Sequence, residues 1–179
     1  FVRKMASEEV NDFDISNKCF NLITVARLSF AKGIDNAVKA LKLLHDRGMK
    51  DIKWYVAGYG GDEGAIRGLI AEYGLEESFI LLGKKVNPYP YVKKCDLYVQ
   101  PSRYEGKAVT VVEAQILGKP VLVTDYATAR SQVRNGFDGY ITENSVEGIA
   151  EGVEKLYRNR ALREKLASNC QRTDYGNSF

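Results

Sequence analysis

The chain has little of several things, and each shortage removes a class of function. It has three cysteines, Cys19, Cys95 and Cys170, which lie far apart and form no CxxC pair. That excludes a disulfide framework and a zinc site built from cysteine pairs, and it points to a reducing, cytoplasmic compartment. The only histidine, His45, falls near the end of a helical stretch, where the helix dipole favours a surface imidazole. No apolar run approaches the ~20 residues that cross a bilayer, and no signal-peptide pattern follows Phe1. Charge of one sign is also scarce: the net charge is +3 with the basic residues spread along the chain, and the tyrosines are not interleaved with them. This gives no basis for nucleic-acid binding. Internal repeats and low-complexity segments are missing as well. A complete GxGxxG is missing too: aligned on Gly58 and Gly60, the third glycine is replaced by Glu63, and no acid stands suitably about 20 residues on. An NAD-dependent oxidoreductase is thereby disfavoured.

What remains is a chain of 179 residues, sized for one domain with a substantial core. Dense apolar runs alternate with segments of helical period. Phe20–Ala26 and Ile52–Ala57 read as strands, each followed by a glycine-bearing turn (Arg27 to Gly33, then Gly58 to Gly64) and an amphipathic helix. Shorter strands are expected at Phe79–Leu82, from Leu97, at Val121–Val123 and at Tyr140–Thr142. Helices are expected over 63–73, 87–94, 108–117, 127–134, from Ser145 as N-cap, and over 160–169. Alternation of this kind predicts an α/β fold with a Rossmann-like, doubly wound parallel sheet. Residues 1–18 read as a linker segment, with a short helix at Met5–Val10 as the other reading; 19–170 form the domain, and 171–179 read as a loose polar tail.

One stretch organises the rest: Tyr104 to Asp125, YEGKAVTVVEAQILGKPVLVTD. It reads as glycine turn, helix, glycine stop at Gly118, and strand, completing a βαβ unit with the strand before it. Such a unit leaves its turn and helix N-terminus at the carboxyl edge of the sheet, where anions bind. Glu113 stands out among Val109, Val111, Val112, Ala114, Ile116 and Leu117. A carboxylate there needs solvent or a partner, because unpaired burial is costly. Arg27 and Lys32, five apart beside a helix start, would suit a diphosphate, although loop cations are more often simply solvated.

Glu105 and Glu113 with seven residues between them, followed by Ala114 and Gly118-Lys119-Pro120-Val121, resemble the E-x7-E signature of retaining GT-B glycosyltransferases of group 1 (family 4). The resemblance runs from about Asn21 to about Leu166. It implies the C-terminal, donor-binding half of such an enzyme, with the acceptor domain lying elsewhere. It further implies that Glu105 meets the donor sugar and that Arg27 with Lys32 stabilises the departing nucleotide diphosphate, without an obligatory metal or other cofactor. By the same resemblance Glu113 accepts hydrogen bonds from the ribose. Gly106, Lys107, Ala108 and Val109 would line the sugar and phosphates, Gly106 allowing close approach. Gly58 and Gly60 would support the site. The donor would be a UDP- or GDP-type sugar, the acceptor a glycan or lipid-linked sugar in cell-surface polysaccharide synthesis, at the inner face of the membrane through the other half. Lys107 and Ala108 replace the aromatic and the glycine or proline usual in the family, and Thr128–Val133 (TARSQV) stands where many relatives carry a glycine-rich turn and an acid. A non-catalytic nucleotide-binding or interaction module of the same fold is the second reading, and a nucleotide-sugar epimerase a more distant one.

Overall fold

The computed structural model describes residues 1–10, 13 and 15–176. Six strands form one sheet: β1 (Phe20–Val25), β2 (Ile52–Ala57), β3 (Phe79–Gly83), β4 (Leu97–Gln100), β5 (Val121–Thr124) and β6 (Tyr140–Thr142). All neighbours pair in parallel, in the order β3-β2-β1-β4-β5-β6. The chain therefore winds outward from β1 in one direction, then returns and winds outward from β4 in the other. A crevice opens where β1 and β4 diverge into loops of opposite course.

Both faces of the sheet are covered, which explains the uninterrupted apolar strands. Leu22, Trp54, Val56, Leu97, Val99 and Leu122 face the helices α2 (Ile34–Asp46), α3 (Glu63–Glu72) and α7 (Val146–Arg158). Ile23, Tyr55, Tyr98, Val121 and Val123 face the other layer, which includes α4 (Tyr89–Lys94), α5 (Val109–Ile116) and α6 (Ala129–Gln132). A polar chain crosses the centre: the Trp54 indole N–H donates to Thr24 Oγ1 (3.0 Å), and that hydroxyl donates to the Val99 carbonyl (2.6 Å). Three adjacent strands are thereby tied by groups that burial would otherwise leave unpaired. His45 is half-buried, with Nε2 2.9 Å from the Ile52 carbonyl, so it pins α2 to β2 rather than standing free at the surface.

The chain ends differ from expectation. Helix α1 occupies Val2–Ala6, not Met5–Val10. Its last turn carries Arg3 and Lys4, which suit the negative helix end, whereas the following Glu8 and Glu9 would oppose it. Val2 and Ala6 are buried, and Phe13 packs 5.0 Å from both the Tyr55 and the Tyr91 ring, so the segment before β1 is part of the second layer. At the other end, α8 (Arg160–Arg172) runs past residue 170 and packs against both α7 and α5. The Tyr175 hydroxyl donates to Asp138 Oδ2 (2.8 Å), so the tail through Gly176 is anchored rather than loose. Residues 177–179 of the expected tail lie outside the described residues.

Gly33 joins a 3-10 turn (Phe30–Lys32) to α2 at φ +69°, and a Cβ there would sit 2.0 Å from the Pro101 carbonyl oxygen. Both the left-handed backbone and the contact require glycine. Gly33→Ala should lower the unfolding free energy by more than about 2 kcal/mol in denaturant titrations, as strain and steric terms combine. A smaller loss would mean the β1 and β4 loops are less tightly apposed than described.

Candidate functional site

The loops after β1 and β4 are laced together. The backbone N–H groups of Arg103 and Tyr104 both donate to the Ala31 carbonyl (2.8 and 3.3 Å). The Arg103 guanidinium forks onto both Asp35 oxygens (2.9 Å each), donates to the Phe30 carbonyl (2.8 Å) and lies 3.9 Å over the Phe30 ring. This fixes Lys32 opposite Glu105. Lys32 Nζ meets both carboxylate oxygens of Glu105 at 2.9 Å. Glu105 Oε2 also accepts from Gln100 Nε2 (3.0 Å) and Ser102 Oγ (2.5 Å). The Glu105 side chain is only 4% exposed. Oε2 is thus saturated by three donors, whereas Oε1 takes only Lys32 among these contacts and keeps acceptor capacity. Gln100 is buried in turn, with its Oε1 accepting from the Tyr98 hydroxyl (2.7 Å) and Thr110 Oγ1 (3.2 Å).

The turn from Glu105 into α5 is braced from behind by the 128–132 segment. Thr128 Oγ1 donates to the Glu105 carbonyl (2.9 Å), and the Gln132 amide pairs with both the N–H and the C=O of Ala108 (3.2 and 3.1 Å). No side chain caps the first turn of α5; the Val109 and Val111 N–H groups donate to the Lys107 and Ala108 carbonyls (3.1 Å each), and Ala108, Val109 and Thr110 bring the positive end of the helix dipole to the cavity described next.

Above these loops lies a cavity of about 380 Å³. Its wall includes five cations, Arg27, Lys32, Lys84, Lys85 and Lys107, and one acid, Glu105. Arg27 and Lys84 flank the Tyr59 ring at 5.8 and 5.1 Å. Cations from the ends of β1 and β3 and from the start of α5 converge on one space, which suits a polyanionic ligand. The exposed Phe30, Tyr59, Val86 and Tyr104 stand on the connections that follow β1 to β4, and the exposed Val109 opens α5.

The family model for group 1 glycosyl transferases matches residues 6–173. The chain belongs to that family. Among its relatives is the capsular polysaccharide biosynthesis glycosyltransferase CapM of Staphylococcus aureus, 30% identical over 86% of this chain and 40% of CapM. The pneumococcal O-GlcNAc transferase GtfA, solved with UDP and GlcNAc, superimposes with a TM-score of 0.79 at 26% identity, over 87% of this chain and 32% of GtfA. The C-terminal domain of LpcC, a group 1 protein of Francisella tularensis, aligns with a TM-score of 0.73 at 22% identity, over 85% of this chain and 83% of that domain. The fold is therefore the Rossmann-like half found at the C-terminus of GT-B enzymes. The chain spans well under half the length of the curated relatives it matches, 24% and 40% for the first two.

Within this group 1 domain, Arg27, Lys32, Gly58, Glu105, Lys107, Ala108 and Val109 line the cavity together. Gly58 and Gly60 serve close backbone packing: Cβ atoms there would lie 1.8 Å from the Ala26 carbonyl oxygen and 2.4 Å from that of Leu28. At Gly106 a Cβ would meet nothing within 4 Å, so no contact inside this chain demands glycine. Glu113 departs most from expectation. It opens not into the main cavity but into a neighbouring hollow of about 10 Å³, and its Oε2 accepts from the Tyr89 hydroxyl. Sequence reasoning overlooked Gln100, Ser102, Gln132, Tyr89 and the Lys84-Lys85 pair. The lysines could have been found by applying to β3 the strand-end rule that singled out Arg27.

Two measurements test this site. Lys32→Met should destabilise the fold by about 2–4 kcal/mol, a range kept modest because Lys32 is 26% exposed. Adding Glu105→Gln should recover part of that loss in a double-mutant cycle; strict additivity would refute the coupling. Burial raises the Glu113 carboxyl above its ordinary range, partly offset by the hydrogen bond from Tyr89. Its contribution to stability is therefore present below the unfolded value and lost as pH rises through the raised folded value. Glu113→Gln should gain relative to wild type in urea unfolding as pH rises above the ordinary carboxylate range; a relative loss on that rise would contradict the burial assigned to Glu113.

Proposed function

We propose that this domain binds a nucleoside-diphosphate sugar in the cation-lined cavity and serves as the donor half of a retaining glycosyltransferase. The observation that carries the reading is the convergence of Arg27, Lys32, Lys84, Lys85 and Lys107 around Glu105, over the uncapped start of α5. A diphosphate placed against the helix start would meet the positive end of the helix dipole and cations on several sides. In the transfer step the bond between the sugar's anomeric carbon and the diphosphate oxygen breaks, and its electron pair stays with the diphosphate. The anomeric carbon then bonds to an acceptor hydroxyl oxygen, whose proton passes to the departing diphosphate oxygen. Arg27 and Lys32 stabilise the charge that develops on the leaving group. These cations supply the countercharge that a metal would provide, so none is required. Glu105, through Oε1, accepts a sugar hydroxyl while Lys32, Gln100 and Ser102 hold its orientation.

The acceptor, a glycan or lipid-linked sugar, meets the donor across a facing half. The exposed Phe30, Tyr59, Val86, Tyr104 and Val109 support this, because apolar side chains gathered around a charged cavity suit a covering surface. CapM's role in capsular polysaccharide biosynthesis supports an acceptor in surface-polysaccharide assembly, and the thiols Cys19, Cys95 and Cys170, all free, support work in the cytoplasm. No helix among the described residues is long and apolar enough to cross a membrane; the proposal gives any attachment to its inner face to the facing half.

Calorimetric titration with UDP, GDP and ADP, with and without magnesium, tests the reading. One nucleoside diphosphate should bind selectively and independently of magnesium. Arg27→Ala and Lys107→Ala should each weaken it about tenfold, as expected for a lost charge-assisted hydrogen bond, and more salt should weaken it further. Turnover with a UDP or GDP sugar should be undetectable for this domain alone. Binding that ignores both substitutions would overturn the placement.

A further inference from the structure

Glu113 lies one turn into α5, and its surroundings are apolar apart from Thr110 and two phenols, Tyr89 and Tyr98, the latter's hydroxyl engaged with Gln100 and Val25. Val25, Pro88, Val92, Tyr98, Ala114 and Leu117 line the hollow beside it. The Tyr89 hydroxyl donates to Glu113 Oε2. Tyr89 opens α4, directly after the loop whose Lys84, Lys85 and Pro88 wall the main cavity. The hollow shares Val25, Pro88 and Thr110 with that cavity, so the two spaces adjoin along these residues, with Tyr89 on the hollow's side. About 10 Å³ is room for at most one water, far less than a pentose ring occupies. While the phenol stays on Glu113, no ribose can sit there.

We propose that Tyr89 is a resident stand-in for a ligand hydroxyl: it holds Glu113 in the empty domain and withdraws when the ribose of a nucleoside diphosphate arrives. This rests on the donor reading above, with the ribose reaching Glu113 as the group 1 resemblance implies, and adds an exchange to it. The O–H···O⁻ bond from Tyr89 is given up as the ribose hydroxyls donate to the same carboxylate, so the net gain is smaller than the new bonds alone. Tyr89 is thus a positioning residue that keeps a desolvated carboxylate satisfied between ligands and sets how tightly a nucleotide must bind to enter. The means of withdrawal is local. The Tyr89 N–H donates to Asn87 Oδ1 (3.3 Å), while Asn87 Nδ2 donates to the Met5 carbonyl (2.7 Å) and Glu8 Oε2 (3.0 Å). The loop's foot is therefore tied to the α1 segment, whereas Val86 at its apex is almost fully exposed. A rotation of the Tyr89 side chain, with the apex following, frees Glu113 without unfolding α4.

The test is calorimetric titration of wild type, Tyr89→Phe, Glu113→Gln and the double variant with UDP, GDP and ADP. Tyr89→Phe keeps the ring and removes only the competing donor. It should bind the preferred nucleotide about tenfold tighter than wild type, the scale of one hydrogen bond to a charged group, and the gain should vanish on the Glu113→Gln background. An unchanged or weaker affinity in Tyr89→Phe, with wild type binding normally, would overturn the exchange and leave the donor reading intact. Failure of both wild type and Tyr89→Phe to bind any of the three would overturn both. A second readout needs no ligand. The ¹³Cζ signal of Tyr89 should move in Glu113→Gln, and in wild type should move the same way on nucleotide addition; a signal that moves in neither case would refute the contact.

Discussion

The ion pair between Lys32 and Glu105 is the constraint on which the site depends. It closes the crevice between the β1 and β4 loops at the point where the sheet reverses its winding order. A carboxylate buried to 4% exposure is tolerated only because a cation, an amide and a hydroxyl all donate to it. That arrangement sets the rest. Gly33 must be glycine so that Lys32 approaches, Arg103 must tie the loops, and the 128–132 segment must hold the turn from behind. The outcome is a rigid floor on which one carboxylate oxygen remains free to accept.

Around that floor the electrostatics run in one direction. Five cations and an open helix N-terminus face a single acid that is already neutralised by Lys32. The cavity therefore carries a positive surplus although the chain as a whole is nearly balanced at +3. Local convergence rather than net charge is what recognises an anion here. The α/β architecture produces it, because each parallel strand delivers its following loop to the same edge.

Much of this was legible in the sequence, for identifiable reasons. The strands are short β-branched or aromatic runs bounded by glycine and by helical periods, and periodicity placed all six in order. The Glu105–Glu113 spacing, with its glycine stop, led to the group 1 family that the family model matches. What escaped was set by tertiary contact. Gln100 looks like the polar end of a strand, and only the fold shows its amide buried between Tyr98, Thr110 and Glu105. Gln132 lies 24 positions from the backbone it braces. Glu113 was singled out for needing a partner, but that this partner is Tyr89, from a different helix, depends on how α4 docks against α5. The chain ends were misjudged because polar composition was taken for looseness, whereas single anchors such as Phe13 and Tyr175 hold them.

The most direct measurement of the central claim is a map of backbone amide shifts on adding UDP or GDP to the isotopically labelled domain. The account predicts changes clustered at Arg27–Lys32, Gly58–Tyr59, Lys84–Lys85 and Gly106–Thr110, all at the carboxyl edge of the sheet. Changes centred instead on the polar hollow at the opposite edge, around Lys18, Asp96 and Arg163, would contradict it, as would no change with either nucleotide.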